Sequence, residues 1–276
     1  MIPKAWAVAT VLALTACGGS EPAVVHDPDA PLRAAFEGIL ADANSVLYGD
    51  LVNYLGNGDA ERIPTRCRAD TCSIGFIRYS DPTRFSVENL DLTLVGTRPG
   101  IRIVREDASF EWTDVEVYGG WMEYAFFATQ ADLFTNAADP NRGYTRVKAY
   151  AVGESSGVNP ILTGPTAQWS GLMLGRDLAV GSDRGQALQG DATIRVEFGA
   201  TGMEADVRFS GIAVIGGGAS RPDMEWHDLT LEEGGFERYE SPSERIRGRF
   251  YGPDQQEVGG IFERGTITGA FGGVRN

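Results

Sequence analysis

Three cysteines and two histidines are the whole supply of soft ligands and thiols in this 276-residue chain. His26 lies in a polar stretch near the start and His227 in MEWHDLTL, and neither has a second histidine or a thiolate beside it. A zinc or haem site built from soft ligands is therefore not expected, and no metal or other cofactor is predicted. Cys67 and Cys72 stand in RCRADTCS, where a bridge would close a six-residue loop. In the chain-entropy picture such a bridge contributes roughly 2 kcal/mol and pins a turn. A CxxxxC metal or redox site is the alternative, but it has no further cysteine pair to complete it. Carboxylates cluster in EWTDVEVY (Glu111, Asp114, Glu116) and DMEWHD (Asp223, Glu225, Asp228). A glycosidase needs two of them across a cleft, so a carboxylate hydrolase stays open as a minor alternative. Gly216-Gly217-Gly218 lacks the following helix and lysine of a phosphate cradle and reads as a loop. Asp139 to Gly143, DPNRG, reads as a turn, with calcium ligation as the sharper alternative.

The remaining cysteine has a different context. Lys4, an apolar run from Ala5 to Leu14, and Leu14-Thr15-Ala16-Cys17 follow one another at the start of the chain. The run is shorter than the ~20 residues that span a bilayer, which suits an export signal over residues 1–16. Leu14 to Cys17 resembles the bacterial lipobox, in which the cysteine is acylated and becomes the first mature residue. Gly18, rather than Asp, follows it, which favours the outer membrane. Residues 17–29 are small, polar and proline-containing and read as a flexible tether. An oxidising address also favours the Cys67–Cys72 bridge.

A third feature is a crowd of aromatic residues, Tyr118, Trp121, Tyr124, Phe126, Phe127 and Phe134, in YGGWMEYAFFATQADLF. Strand alternation breaks at Ala125-Phe126-Phe127, so both faces there are apolar. Two readings follow: a strand covered on both sides or lying in a seam between domains, or a partner-binding patch with an accessible Trp121.

The elements that must position these residues are mostly strands. Leu32, Phe36, Ile39, Leu40 and Ala43 recur at helical spacing after Asp29, which predicts one amphipathic helix. From Ser73 the signals are strand-like: SIGFIRY, SVENLDLTLV, ASFEWTDVEVY, WMEYAFFA and YTRVKAYAV, with turns at SDPTR and ADPNRG. GESSGVNPILTGP, ending at Pro165, reads as a linker. Eight short strand candidates then run from Ala167 to Val274 without a helical period, the pattern of an up-and-down antiparallel barrel. With 24 basic against 38 acidic residues, the chain repels nucleic acid and anionic headgroups, so nucleic acid is excluded as a partner. The acidity keeps the chain soluble; a basic partner protein is its sharper meaning.

Pairing predictions follow from the alternation. With GATG as a hairpin loop, Phe198 opposes Met203 and Arg195 opposes Asp206, with Ala192, Ile194, Val196 and Phe198 inward. Turning through YGPDQQE sets Phe250 against Val258, Gly248 against Gly260, Ile246 against Phe262 and Arg245 against Glu263. Ile267, Gly269, Phe271 and Gly273 then continue the inward row, the glycines leaving room for neighbouring rings.

The block from Ile246 to Arg275 resembles the closing strands of the transferrin-binding protein B barrel family, whose pattern is G-x-F-Y-G-P, E-x-G-G-x-F and G-A-F-G followed by a basic residue. Gly248, Phe250, Tyr251, Gly252 and Pro253 meet the first part, Glu257, Gly259, Gly260 and Phe262 the second, and Gly269 to Gly272 with Arg275 the third. AQWSGLMLGRD resembles the first barrel strand, so the resemblance covers about residues 167–276. It implies an all-β fold with minor α: a β-rich handle-like domain over residues 30–165 with one N-terminal helix, then an eight-stranded barrel over 166–276. It also implies an outer-membrane, surface-displayed lipoprotein that binds a protein or a metal-bearing solute and catalyses nothing. Two-lobed receptors of the family carry a handle and a barrel in each lobe; this chain matches a single lobe. A structural or adhesion lipoprotein without a soluble ligand is the alternative.

Overall fold

The computed structural model describes residues 46–54, 60–68, 71–74, 77–79 and 93–276, the last span apart from 111–112, 137–138, 154, 156, 180–184, 201 and 242. The predicted signal, Cys17, the tether and the helix near Leu32 to Ala43 lie outside the described residues. Every described element is a strand.

The first nine form one antiparallel sheet. They are β1 (Val46–Tyr54), β2 (Ala60–Arg68), β3 (Thr71–Ile74), β4 (Ile77–Tyr79), β5 (Thr93–Arg98), β6 (Ile101–Phe110), β7 (Thr113–Trp121), β8 (Ala125–Asn136) and β9 (Asp139–Gly153). Their order across the sheet is β4-β3-β2-β1-β9-β8-β7-β6-β5. The register of β2 and β3 sets Cys67 directly opposite Cys72.

The last eight close a barrel in chain order: β10 (Thr166–Asp177), β11 (Gln186–Phe198), β12 (Met203–Val214), β13 (Met224–Glu232), β14 (Gly235–Ser241), β15 (Glu244–Tyr251), β16 (Glu257–Arg264) and β17 (Ile267–Arg275). Closure comes from β10 pairing with β17. The predicted registers hold: Phe198 opposes Met203, Arg195 opposes Asp206, and Phe250, Gly248, Ile246 and Arg245 oppose Val258, Gly260, Phe262 and Glu263.

The barrel fills itself. Ile246, Phe250, Val258, Phe262, Ile267 and Phe271 pack in one buried cluster with Trp169, Phe209 and Trp226. Phe209 lies 4.7 Å from Phe262 and 5.2 Å from Phe271, ring centre to ring centre. Glycine makes that packing possible: a Cβ at Gly248 would sit 2.3 Å from the Phe236 ring, and one at Gly260 2.7 Å from the Phe271 ring. Eight strands enclose just enough room for side chains, and here the side chains occupy it.

Five expectations need correcting. SIGFIRY is not one strand, since Ile74 opposes Ile77 and β3 pairs with β4. ASFEWTDVEVY is not one strand; Phe110 opposes Thr113, so the chain reverses within it and β6 pairs with β7. WMEYAFFA likewise breaks after Trp121, where the Met122 N–H donates to the Ala125 carbonyl and closes a tight turn. ADPNRG is not a turn but the start of β9, with Asn136 opposite Asp139. β1 pairs with β9 only from Arg146 onward, so Pro140 costs the ladder nothing on that side. Phe198 keeps its predicted register yet is 67% exposed, because the β11–β12 hairpin carries it past the rim that the core fills.

Candidate functional site

Three aromatic residues of the predicted patch, Trp121, Phe126 and Phe127, are at most 1% exposed and Tyr118 is 6% exposed. The accessible ring expected of a partner-binding Trp121 is not there. Phe126 and Phe127 point to opposite faces of the sheet, which is why the alternation broke. Phe127, Tyr118 and Met122 pack with Leu172, Leu174, Ile261 and Ala270 of the outer barrel wall. Tyr124 is partly buried against the same seam, and Phe134 stands in β8 opposite Thr113. Glycine again sets the distance: a Cβ at Gly272 would fall 2.3 Å from the Phe127 ring, and one at Gly259 3.2 Å from Tyr251. Strands β16 and β17 are thus buried on both faces, by the barrel core on one and by the handle sheet on the other.

Two polar latches cross this seam. Arg176 of β10, 1% exposed, donates Nη1 to Glu116 Oε2 at 2.5 Å and Nη2 to the Glu116 carbonyl at 3.0 Å. Burial lowers its pKa, and Glu116 opposes that. The Tyr118 ring lies 5.3 Å from the same guanidinium, and burial followed by the Glu116 charge pushes its hydroxyl up to about 12. The second latch is Glu257, 3% exposed, which accepts the Glu123 N–H at 2.6 Å and the Tyr124 N–H at 2.9 Å. Burial raises its pKa to about 7, against the pull of those backbone donors. Glu257 is the acid of the E-x-G-G-x-F motif, so that motif residue holds the β7–β8 turn of the handle to the barrel. Arg98 in the β5–β6 hairpin adds an exposed pair with Asp191 and reaches the Gly171 carbonyl.

Sequence reasoning missed these latches. Their trace was Leu172-Met173-Leu174, an apolar run without alternation that is followed on its outward row by Arg176.

With the lumen filled and Trp121, Phe126 and Phe127 buried, the open surfaces are on the outside. Two clefts flank the Arg98–Gly100 turn: one of about 390 Å³ reaching Trp121 to Glu123, and one of about 550 Å³ against Ser170, Gly171, Asp191 and Val274. A charged surface lies on the barrel wall β11–β13. Arg195 pairs there with Glu197 at 2.7 Å, Arg208 with Asp223 at 2.9 Å and Glu225 at 3.3 Å, and His227 lies 3.4 Å from Asp206 and 3.3 Å from Glu225. Glu204, Asp228 and Asp191 add to the acidic excess. Asp228, at a φ of 53°, sits at an irregularity in the β12–β13 ladder and turns its N–H to Asp206. Among the described residues no group of three or more His, Cys, Asp or Glu is placed to hold a metal. Of the carboxylates considered for hydrolysis, Glu116 pairs with Arg176, and Asp223 and Glu225 pair with Arg208, while Glu111 lies outside the described residues.

No family model and no curated protein matches the chain. Among solved structures, intact Ap-TbpB with its N and C lobes is 13% identical at a TM-score of 0.32, over 83% of this chain and 46% of that one. A protein described as a surface lipoprotein is 12% identical at 0.38, over 85% and 100%. A point mutant of the vaccine antigen Transferrin Binding Protein B from Actinobacillus pleuropneumoniae H49 is 12% identical at 0.36, over 83% and 99%. This chain spans about half the length of intact Ap-TbpB. The architecture rests on the strand pairing above and not on these likenesses.

Proposed function

We propose that the chain is a lipid-anchored, surface-displayed bacterial outer-membrane protein of the transferrin-binding protein B type, one lobe of handle and barrel, which binds a protein or a metal-bearing solute and catalyses nothing. One observation carries this reading: the barrel is filled by its own rings and its outer wall is latched to the handle, so the molecule is a rigid scaffold whose recognition surface is external. The acidic wall β11–β13 is the contact surface, and a basic patch on the partner is its electrostatic complement. The motif residues from Gly248 to Arg275 and the lipobox at Cys17 support the family and the anchor; Cys67 and Cys72, opposed across β2 and β3, form the disulfide of an exported chain.

The experiment has two arms. Protease treatment of intact cells tests display, with loss of the protein expected. Binding of the full chain to iron-loaded and iron-free transferrin, the ligand named for the similar structures, is measured against salt. A saturable signal that weakens with salt and with Asp206→Asn and Glu225→Gln supports the reading. Survival of the protein on shaved cells removes surface display, and binding indifferent to the wall substitutions removes the proposed contact.

A further inference from the structure

Six large apolar side chains are exposed among the described residues, and three of them, Val158 (56%), Ile161 (70%) and Phe198 (67%), crown one end of the barrel. They are held there. The Asn159 side chain donates to the Leu231 carbonyl at 3.2 Å and accepts the Gly234 N–H at 2.9 Å. Arg275 donates to the Ile161 carbonyl at 2.7 Å, while the intervening Leu162 packs on the core and closes this end. The linker's backbone is thus anchored to the rim while its apolar side chains project into solvent. In a chain of net charge −14, the tips concerned carry no charge at all: GVNPILTGPT from Gly157 and the hairpin loop GATG from Gly199.

The chain also enters its described fold at this end. Tyr48 pairs with Ala151, which puts Val46 beside Gly153, the point where β9 gives way to the linker. Cys17 lies 29 residues before Val46. At the end where the described chain begins, the linker and the β11–β12 loop are thus uncharged and apolar, while the β13–β14 turn there carries Glu232 and Glu233 and the β15–β16 turn Asp254. Uncharged tips bearing a Phe, an Ile and a Val suit the boundary between headgroups and acyl chains, where apolar side chains gain free energy and no charge is desolvated.

We propose that this rim is a lipid-facing contact: with the chain anchored at Cys17, Val158, Ile161 and Phe198 rest in the surface of the bilayer that holds the anchor. The inference rests on the lipid-anchor reading above. It orients the lobe, with the β10–β17 rim toward the membrane and the part of the acidic wall around Arg208, Asp223 and Glu225 farther along the strands. Glu197 and Glu204 beside Phe198 make zwitterionic lipid the preferred surface.

The test places nitroxide labels at Ile161→Cys, Phe198→Cys and, as a control at an exposed site on β14, Tyr239→Cys, with the unsubstituted chain as background. On vesicles of phosphatidylcholine and phosphatidylethanolamine, the acylated protein should lose access of an aqueous nickel chelate at 161 and 198 several-fold, and keep it at 239. Equal access at all three sites overturns the proposal, as does shielding of 161 and 198 by a soluble protein without vesicles. The mass of the N-terminal peptide reports separately whether Cys17 is acylated. Where it is not, the anchor reading fails and the rim is judged on the unacylated chain: Ile161→Asp with Phe198→Asp must lower its sedimentation with the same vesicles by at least about tenfold. No change there overturns the rim.

Discussion

Glu257 shows what a single residue does in this fold. Its carboxyl is buried and ties the β7–β8 turn to the barrel, and burial raises its pKa from 4.5 to about 7. Between those two values the folded chain holds a proton that the unfolded chain releases, so stability falls as pH rises through that window and levels off above it. The difference corresponds to about 3 kcal/mol. Denaturant unfolding at several pH values, compared with Glu257→Gln, should show this slope in the parent and lose it in the variant; parallel curves would remove the assignment. Phe250 tests the core in the same way: Phe250→Ala should cost ~3–5 kcal/mol, and a shift below ~1 kcal/mol would put the ring outside the packed lumen. The inward residues of β15 to β17 were legible because alternation and glycine placement agree with a closed sheet. The role of Glu257 was not, since nothing local tells a buried acid from the many solvated ones in an acidic chain.

At the scale of elements, the seam depends on strands that are apolar on both faces. The Leu172 to Leu174 run and Ile261, Ala270 and Gly272 are covered by the handle, while their neighbours Met173, Phe262 and Phe271 fill the barrel. Gly272→Val should force Phe127 out of contact and cost ~1–3 kcal/mol of unfolding free energy. Glu116→Ala leaves the Arg176 guanidinium buried without its counter-charge and should cost ~3–5 kcal/mol; adding Arg176→Met should restore most of the loss, because the uncompensated charge goes with it. A loss that the second substitution deepens would show that the pair does not act as a latch. The seam was half legible. The doubled apolarity of Phe126-Phe127 announced a covered strand, but the element behind it lies more than a hundred residues away, where strand alternation is silent. The β6–β7 and β7–β8 reversals were missed for a related reason: they carry Glu-Trp and Met-Glu-Tyr instead of glycine or proline, and sheet pairing imposes the turn.

For the whole molecule, the described segments follow in order: a nine-stranded sheet, a linker hydrogen-bonded to the barrel rim, and a barrel closed by pairing its first strand with its last. The barrel and its strand boundaries were readable from the sequence; the joining of the two units was not, because it is made by residues whose partners are remote. Trp121 packs on Phe126, on the sheet face opposite Phe127. With the other tryptophans replaced by phenylalanine, its fluorescence should resist acrylamide, and ready quenching would put the ring outside the packed side chains of the sheet. The lumen is packed with Phe209, Trp226, Phe250, Phe262 and Phe271 and leaves no room for a ligand. Titration of the native chain and Phe271→Ala with benzene and naphthalene, followed by calorimetry, should give no saturable site in the native chain and a one-to-one site in the variant, where a dry cavity has been opened. One-to-one binding by the native chain, competed by either compound, would contradict that packing.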